Sequence, residues 1–190
     1  MGVADAGRVI AGSARGIRLE APGEGTRPFG DRVKQTLFAV LEPDLAGATV
    51  LDLYAGSGAA GIEALSRGAR HATFVERDAA AVRVIAANLA RARVADRASV
   101  VRADVPGWLR GAGLAAGPFA VAVVDPPYGQ PDLLAETLEA LGPLLARGAR
   151  VVAKHFWRDR PPAQVGLLAS ERERRFGETA LTFYRRQEAR

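Results

Sequence analysis

Short apolar runs and longer amphipathic stretches alternate along the chain from residue 49 onward. Apolar runs bounded by turn residues predict buried strands, and apolar residues that recur every three or four positions predict helices. The predicted strands cover 49–53, 72–76, 99–102, 119–124 and 150–154, and the predicted helices cover 60–67, 79–93 and 132–145, with a short helix around Trp108. Alternation of this kind indicates right-handed βαβ units and a mostly parallel sheet.

The amino-terminal part departs from this alternation. Residues 1–7 are predicted to be a frayed end, and two short strands around a Gly-Ser turn are predicted within 8–19. A helix follows, with Asp31 as its predicted N-cap. Its predicted buried stripe consists of Val33, Leu37, Val40 and Leu41, and that of the helix 79–93 consists of Val82, Ile85, Ala86 and Leu89.

The carboxyl-terminal part is predicted to be an antiparallel hairpin. Residues 165–175 and 178–186 form two strands around the turn at Phe176 and Gly177, and this hairpin closes the sheet. We therefore predict an α/β fold with an N-terminal extension over 1–45, made of a small hairpin and a helix. One α/β domain over 46–190 completes a single compact unit.

Composition indicates a polyanionic partner. The formal net charge is +5 and the sequence pI is about 10.4. Of the 26 basic residues only Lys34 and Lys154 are lysines, and arginine suits phosphate contacts and base stacking. GC-rich coding would explain the same bias, because alanine and glycine are abundant too.

Composition also argues against several kinds of site. The chain has no cysteine, and its only histidines are His71 and His155, so we predict neither a disulfide framework nor a metal centre. No apolar stretch reaches the roughly 18 residues of a membrane span, and no leader begins the chain. We therefore expect no membrane association and a cytoplasmic location.

Asp125, Pro126, Pro127 and Tyr128 close the apolar strand 119–124. The Asp125 carboxylate and the Pro126 carbonyl can accept both hydrogens of a planar amino group. Prolines fix φ and donate no N–H, so the loop is stiff and offers acceptors, while Tyr128 offers a ring on which a base can stack. This signature resembles that of methyltransferases acting on the exocyclic nitrogen of a base. The same residues also suit an ordinary proline-rich turn.

A glycine-rich turn joins the first strand of the alternating region to its helix. Gly56, Gly58 and Gly61 let the backbone pass close to a ligand, and the helix N-terminus turns free N–H groups toward it. Glu76 follows Gly56 by 20 residues, a spacing that also fits NAD enzymes. Asp52 favours another ligand, because a carboxylate four residues before Gly56 suits a cationic group better than a pyrophosphate. S-adenosylmethionine carries two cationic groups and no phosphate, and the pattern resembles that of the enzymes that use it.

Acidic residues at strand ends extend the predicted cofactor site, since open α/β sheets bind ligands outside the carboxyl ends of their strands. Glu76 could accept hydrogen bonds from both ribose hydroxyls. Asp104 could accept one from the adenine amino group, with the main-chain N–H of Val105 facing a ring nitrogen. Asp78 is predicted to be the N-cap of the helix that follows it, and Asp104 could cap the Trp108 helix as well as bind the adenine. The predicted cofactor set is Asp52, Tyr54, Ala55, Gly56, Gly58, Glu76, Arg77, Asp104 and Val105.

Segments along almost the whole chain together resemble the RsmD family, bacterial methyltransferases that modify N2 of one guanine in 16S (small-subunit) rRNA. The segments are 8–12, 26–28, 31–33, 37–38, 51–61, 63–68, 75–76, 125–128 and 176–179 with Tyr184. The resemblance implies a class I methyltransferase with a Rossmann-like sheet. It also implies S-adenosylmethionine as the methyl donor, S-adenosylhomocysteine as the product, and rRNA in an assembled or assembling 30S particle as the partner.

By the same resemblance, the basic N-terminal hairpin contacts RNA and Arg27 lies near the cofactor. The predicted substrate-binding residues are Arg8, Arg15, Arg18, Arg27, Arg32 and Tyr128, and the predicted catalytic residues are Asp125, Pro126, Pro127 and Tyr128. Trp157 is a candidate second aromatic wall for the base, with a core or interface position as the alternative. His155 is assigned a structural or RNA-contact role. The sequence departs from the family pattern at two places. Phe29-Gly30 stands where family members commonly have small hydroxyl residues, and Lys154-His155 stands where some relatives carry an acid.

Direct in-line methyl transfer needs orientation and electrostatics and no covalent nucleophile. An amine inside folded RNA is reached by extruding its nucleotide. Three alternatives stay open: adenine-N6 methylation of DNA or RNA, glutamine methylation of a protein, and an RNA-binding assembly factor that retains a cofactor pocket without turnover. No stable protein partner is inferred.

Overall fold

The computed structural model describes residues 4–23 and 30–188. In chain order the elements are β1 (Asp5–Arg8), β2 (Arg18–Glu20), α1 (Asp31–Leu41), β3 (Thr49–Leu53), α2 (Ala59–Ser66), β4 (His71–Glu76), α3 (Ala79–Ala92), β5 (Ala98–Arg102), α4 (Val105–Arg110), β6 (Phe119–Val124), α5 (Pro131–Leu141), β7 (Leu145–Phe156), β8 (Gln164–Val165), β9 (Leu168–Phe176) and β10 (Thr179–Arg186). Short 3-10 turns join several of them.

Eight strands form one sheet in the order β5-β4-β3-β6-β7-β10-β9-β8. The strands from β5 to β7 run parallel, whereas β10 is antiparallel to both β7 and β9. The predicted mostly parallel sheet and its C-terminal antiparallel hairpin are therefore confirmed. Strand order reverses between β3 and β6, and in open α/β sheets a ligand crevice forms at such a point.

Apolar side chains cover both faces of the sheet, as expected for buried parallel strands. On one face, Val50, Val123 and Phe183 belong to a cluster that includes buried residues of α1, α2 and α3. On the other face, Leu51 and Val124 belong to a cluster that includes residues of α4 and α5. Layers on both faces fix the sheet, so the strand ends of the crevice are held on a rigid base.

The amino-terminal part differs from its prediction. Residues 5–7, expected within a frayed end, form β1 together with Arg8, and β1 pairs with β2 at Asp5 opposite Glu20 and Arg8 opposite Arg18. The two strands predicted within 8–19 are thus present as a pair, but they lie at 5–8 and 18–20. Gly30, not Asp31, is the N-cap of α1, and Asp31 is the first helical residue. Strand β1 is ordered by its pairing with β2, and the apolar pattern of β1 alone does not reveal that partner.

Two predicted buried stripes are also corrected. In α1 the buried residues are Lys34, Leu37, Phe38 and Leu41, whereas the predicted Val33 and Val40 are only half-buried. In α3 the predicted Ala86 is exposed, and Asn88 is buried instead. A polar side chain is buried when it finds hydrogen-bond partners, and periodicity does not report those.

Helix α2 carries the docking contacts of the segment after β1. The buried Glu63 accepts hydrogen bonds from the main-chain N–H groups of Ile10 (2.7 Å) and Ala11 (3.0 Å). Ser66 Oγ accepts one from the N–H of Ala14 at 2.9 Å. A Cβ on Gly12 would lie 1.9 Å from the carbonyl oxygen of Ser66, so only glycine allows this approach. The division into an extension over 1–45 and a domain over 46–190 stays a prediction.

Across the described ranges, 4–23 and 30–188, no helix combines the length and the apolarity that crossing a membrane requires.

Candidate functional site

A cleft of about 630 Å³ opens at the carboxyl ends of β3, β4 and β6. Its volume is in the range of ligand pockets. Every predicted catalytic and cofactor residue lines it except Gly58. The full lining is Ala6, Ala21, Asp52, Tyr54, Ala55, Gly56, Ser57, Ala59, Ala60, Glu76, Arg77, Asp104, Val105, Asp125, Pro126, Pro127, Tyr128, Gln130, Leu133 and Lys154.

Three glycines shape the turn between β3 and α2. Gly56 and Gly58 adopt left-handed conformations, with φ of 55° and 75°, and Gly58 is the N-cap of α2. At Gly61 a Cβ would lie 2.3 Å from Cε1 of Phe74, so helix and strand approach closely there. Gly58 and Gly61 thus set the position of the helix, while Gly56 faces the cleft.

The Asp52 carboxylate lies at the floor of the cleft. Its Oδ2 accepts a hydrogen bond from the N–H of Gly61 at 2.8 Å. Burial raises the pKa of Asp52 to about 8, with further contributions from the charges of Asp125 and Glu76, while the Gly61 N–H opposes the shift. A cation placed here would relieve that unfavourable charge, so the position suits a ligand with a cationic end.

Glu76 is held by two main-chain donors at the end of β4. Its Oε2 accepts from the N–H of Gly56 at 3.0 Å and its Oε1 from the N–H of Asp78 at 2.9 Å. Asp78 caps α3 by accepting from Ala81, as predicted. Each carboxylate oxygen can accept a further hydrogen bond, so Glu76 is fixed in orientation and can still bind hydroxyl groups.

Asp104 is both a helix cap and a residue of the cleft, two positions that the sequence predicted to be compatible. Its Oδ2 accepts from the N–H of Gly107 at 3.2 Å and caps α4. It also lines the cleft, together with Val105 and Arg77. The capping bond orients the carboxylate without removing it from the cleft.

Asp125 is paired with Lys154, a contact that the sequence did not predict. Lys154 Nζ lies 2.8 Å from Asp125 Oδ2, and the Lys154 side chain is only 7% exposed. Burial raises the pKa of Asp125, and the charge and hydrogen bond of Lys154 oppose that rise. Lys154 comes from β7 and Asp125 directly follows β6, adjacent strands whose register brings the two side chains together.

Tyr128 is held by contacts at its hydroxyl and over a face of its ring. Its hydroxyl and Thr179 Oγ1 are 2.7 Å apart, and Lys154 Nζ lies 5.5 Å from the ring centroid. Tyr54 is fixed similarly, with its hydroxyl 2.6 Å from Thr137 Oγ1. Two aromatic side chains therefore stand in defined positions in the cleft wall.

The predicted RNA-contact arginines lie outside the cleft lining. Arg8, Arg15, Arg18 and Arg32 are exposed, and Arg27 falls outside the described residues. Arg8 Nε lies 3.3 Å from Asp31 Oδ2, and Arg18 Nη1 lies 3.0 Å from Asp5 Oδ2.

The N-terminal extension itself contributes Ala6 and Ala21 to the cleft wall. Asn88 ties this wall to the glycine turn, since its Nδ2 donates to the carbonyl oxygens of Glu20 and Ser57, each at 2.9 Å. The extension and the glycine turn are thus joined through one buried amide.

Both ring nitrogens of His155 form hydrogen bonds within the sheet. Its Nδ1 donates to the carbonyl oxygen of Phe156 at 2.8 Å, and its Nε2 accepts from Thr182 Oγ1 at 2.9 Å. Burial lowers the pKa of His155. In the part of the chain that the structure describes, His, Asp and Glu side chains form no group of three suited to a metal ion.

Comparisons with known proteins agree on one relationship. The family model described as conserved hypothetical protein 95 matches residues 7–185. Ribosomal RNA small subunit methyltransferase D of Escherichia coli K12 is 37% identical over 183 residues, which cover 95% of this chain and 90% of that protein.

Solved structures share the fold of this chain. A hypothetical protein of Thermus thermophilus is 33% identical with a TM-score of 0.78, over 93% of this chain and 97% of that one. An RNA methyltransferase from Salinibacter ruber, solved in complex with S-adenosyl-L-homocysteine, has a TM-score of 0.67 over 86% of this chain and 95% of that one. It is 19% identical and shows the fold alone.

Proposed function

We propose, from the premise that this chain belongs to the RsmD family, that it transfers a methyl group from S-adenosylmethionine to the exocyclic N2 of a guanine in small-subunit rRNA. The observation that carries the proposal is the arrangement of the cleft. A stiff amine-binding loop, Asp125 to Tyr128, opens into the same space as the carboxylates of Asp52, Glu76 and Asp104.

The cleft residues fit S-adenosylmethionine by the chemistry of their donors and acceptors. Asp52 would hold the α-ammonium group, Glu76 the ribose hydroxyls, and Asp104 with the N–H of Val105 the adenine edge. A pyrophosphate fits poorly, because Asp52 would place a carboxylate beside it. When bound, S-adenosylmethionine supplies an electrophilic methyl group.

The chain's own contribution to the reaction is to bind and orient the amine. The lone pair of guanine N2 is delocalised into the ring, so the amine is a poor nucleophile. Asp125 and the carbonyl of Pro126 would accept its two hydrogens, favour a pyramidal nitrogen and direct the lone pair into the cleft. When the nitrogen gains the methyl group it carries one surplus proton, which Asp125 would take up along the same hydrogen bond, with S-adenosylhomocysteine as the other product. Tyr128 would stack on the extruded base. Orientation and electrostatics of this kind supply most of the rate acceleration.

The substrate is proposed to be rRNA within an assembled or assembling small subunit. The E. coli relative is named for that RNA, and the exposed arginines of the N-terminal extension beside the cleft suit phosphate contacts. Arg8, Arg15, Arg18 and Arg32 are proposed to contribute, together with Arg27.

Incubation with labelled S-adenosylmethionine tests this proposal. Undermethylated small subunits, naked rRNA and duplex DNA are offered in parallel, and the nucleosides are analysed by mass. We expect N2-methylguanosine from the RNA substrates. Methyl label in N6-methyladenosine would replace the guanine proposal, and cofactor binding without transfer to any substrate would favour a non-catalytic assembly factor.

The variant Asp125→Ala tests the role proposed for the target amine's acceptor. We expect turnover to fall by roughly 100-fold or more, because an acceptor that acts on the reacting amine is lost. Affinity for S-adenosylmethionine should change little, since Asp125 is assigned to the target amine. Wild-type single-turnover rates in this variant would show that Asp125 does not polarise the amine.

A further inference from the structure

Trp157 directly follows β7, three residues beyond Lys154, which lines the cleft, and this position is called the rim. Its main-chain N–H donates to the carbonyl oxygen of Glu178 at 3.0 Å, in the turn between β9 and β10. The next residue, Thr179, contacts the Tyr128 hydroxyl through its Oγ1 at 2.7 Å. Trp157 is therefore joined to Tyr128 through two consecutive residues, Glu178 of the turn and Thr179 at the start of β10.

The ring of Trp157 is already occupied by two arginines. The guanidinium carbon of Arg175 lies 3.7 Å from the ring centroid, and that of Arg158 lies 4.9 Å from it. At 3.7 Å the planar guanidinium is in contact with the ring, so a base cannot stack on that side. Trp157 thus does not serve as an open second wall for the base; it holds two cations at the rim.

These two arginines retain capacity to bind an anion. Both side chains are exposed, and Arg175 Nε donates to the carbonyl oxygen of Gly177 at 2.8 Å, which fixes its orientation. Within residues 4–23 and 30–188, neither guanidinium forms an ion pair with a carboxylate, whereas the nearby Arg160 is paired with Glu173 at 3.2 Å. A guanidinium held against a ring keeps its remaining N–H donors in a planar fork that matches phosphate oxygens.

We propose that Arg158 and Arg175, held by Trp157, form a clamp for a backbone phosphate of the RNA next to the methylated nucleotide. The proposal rests on the proposed function and adds a substrate contact outside the cleft and outside the N-terminal extension. Extrusion of a nucleotide turns it about its backbone, so the flanking phosphates must pass the rim of the cleft. Cations fixed there hold the backbone while the base occupies the cleft.

A charge-matched pair of double variants tests the clamp. Arg158→Ala with Arg175→Ala removes two cations from the rim, and Arg70→Ala with Arg147→Ala removes two exposed cations near the amino ends of β4 and β7, at the opposite edge of the sheet. Binding to undermethylated small subunits is measured across a salt titration. The rim variant should reduce the steepness of log K against log salt by about 1, because the contact with one phosphate is lost. The control variant should keep the wild-type slope.

Kinetics and fluorescence separate a clamp from a purely structural contact. In the rim variant KM for the subunits should rise on the order of tenfold at moderate salt, while kcat and affinity for S-adenosylmethionine stay within twofold. In a Trp108→Phe background Trp157 is the sole tryptophan, and its emission should change when subunits bind and recover as salt is added.

Equal salt slopes for the rim variant and wild type, or Trp157 emission that does not respond to bound subunits, would overturn the clamp. Both readouts report binding rather than methyl transfer. Failure of the clamp is therefore distinguishable from failure of the proposed reaction, which the nucleoside analysis of the wild-type protein decides.

Discussion

At the scale of single residues, the proposed contact between Asp52 and the cofactor would link binding to a proton. Burial raises the pKa of Asp52 to about 8, which favours the protonated carboxyl at pH 7, whereas a cationic ligand favours the ionised form. We therefore expect binding of S-adenosylmethionine at pH 7 to release up to one proton from this group, and affinity to rise by up to about tenfold per pH unit below the pKa. Calorimetry in two buffers of different ionisation enthalpy measures the release.

Asp52→Asn is the control for that linkage, because an amide oxygen can still accept the Gly61 N–H. Its binding should be weaker and free of the buffer dependence. Proton release equal to that of the wild type in this variant would assign the proton to another group.

At the same scale, we expect Lys154 to set the acid limit of turnover. The role proposed for Asp125 requires its ionised form, so activity should be lost as pH falls through its pKa. Burial raises that pKa and Lys154 opposes the rise; removing the cation should therefore move the acid limb of kcat to higher pH. Lys154→Met should show this shift at saturating S-adenosylmethionine, whereas Lys154→Arg should retain the wild-type limb. Superimposable acid limbs for Lys154→Met and the wild type would contradict an effect of Lys154 on the pKa of Asp125.

At the scale of elements, the contact between α2 and β4 decides where the glycine turn lies. Gly61→Ala would place a Cβ 2.3 Å from Cε1 of the buried Phe74 ring. Overpacking of this kind costs about 1–3 kcal/mol, more than the roughly 1 kcal/mol that alanine gains over glycine within a helix. Urea denaturation should show a net loss of stability, and weaker cofactor binding should accompany it.

Phe74→Leu provides the matched partner for that variant. Because it shortens the ring that the new Cβ would meet, the double variant should be more stable than the sum of the two single changes implies. Additive losses, or a gain in stability from Gly61→Ala alone, would show that the neighbouring elements are not closely packed here.

The order of the elements could be predicted from the local sequence pattern, because each parallel strand is a short apolar run and each helix is an amphipathic stretch. Contacts between segments far apart in the chain could not be predicted in this way. Asn88 is buried because it bonds Glu20 and Ser57, and β1 is ordered by β2. The cleft acids were predictable because strand ends share one edge of the sheet, whereas the pairing of Lys154 with Asp125 depends on the register of β6 and β7.

At the scale of the whole molecule, the proposed RNA surface combines the arginines of the N-terminal extension with those of the rim at Trp157. Arg15 and Arg32 are exposed, and within the described ranges neither is ion-paired, unlike Arg8 and Arg18. Reversing Arg15 and Arg32 to Glu should weaken binding of small subunits and flatten its salt dependence. Reversing Arg70 and Arg147, at the opposite edge, should have a much smaller effect.

Thermal stability and cofactor affinity should remain close to wild type in both reversal variants, because exposed charges contribute little to folding. Equal losses in the two variants would indicate that binding depends on net charge alone, and that the arginines merely solvate the surface.

Because the chain has only two lysines and both are buried, its side chains should react slowly with acylating reagents. Every other basic residue is arginine, Lys34 is fully buried and bonded to the carbonyl oxygen of Arg8, and Lys154 is 6% exposed and lines the cleft. Side-chain acylation of the native protein should therefore be slow, and any that occurs should concentrate at Lys154. Because a ligand in the cleft shields that amine, one modified peptide reports whether the cleft is filled.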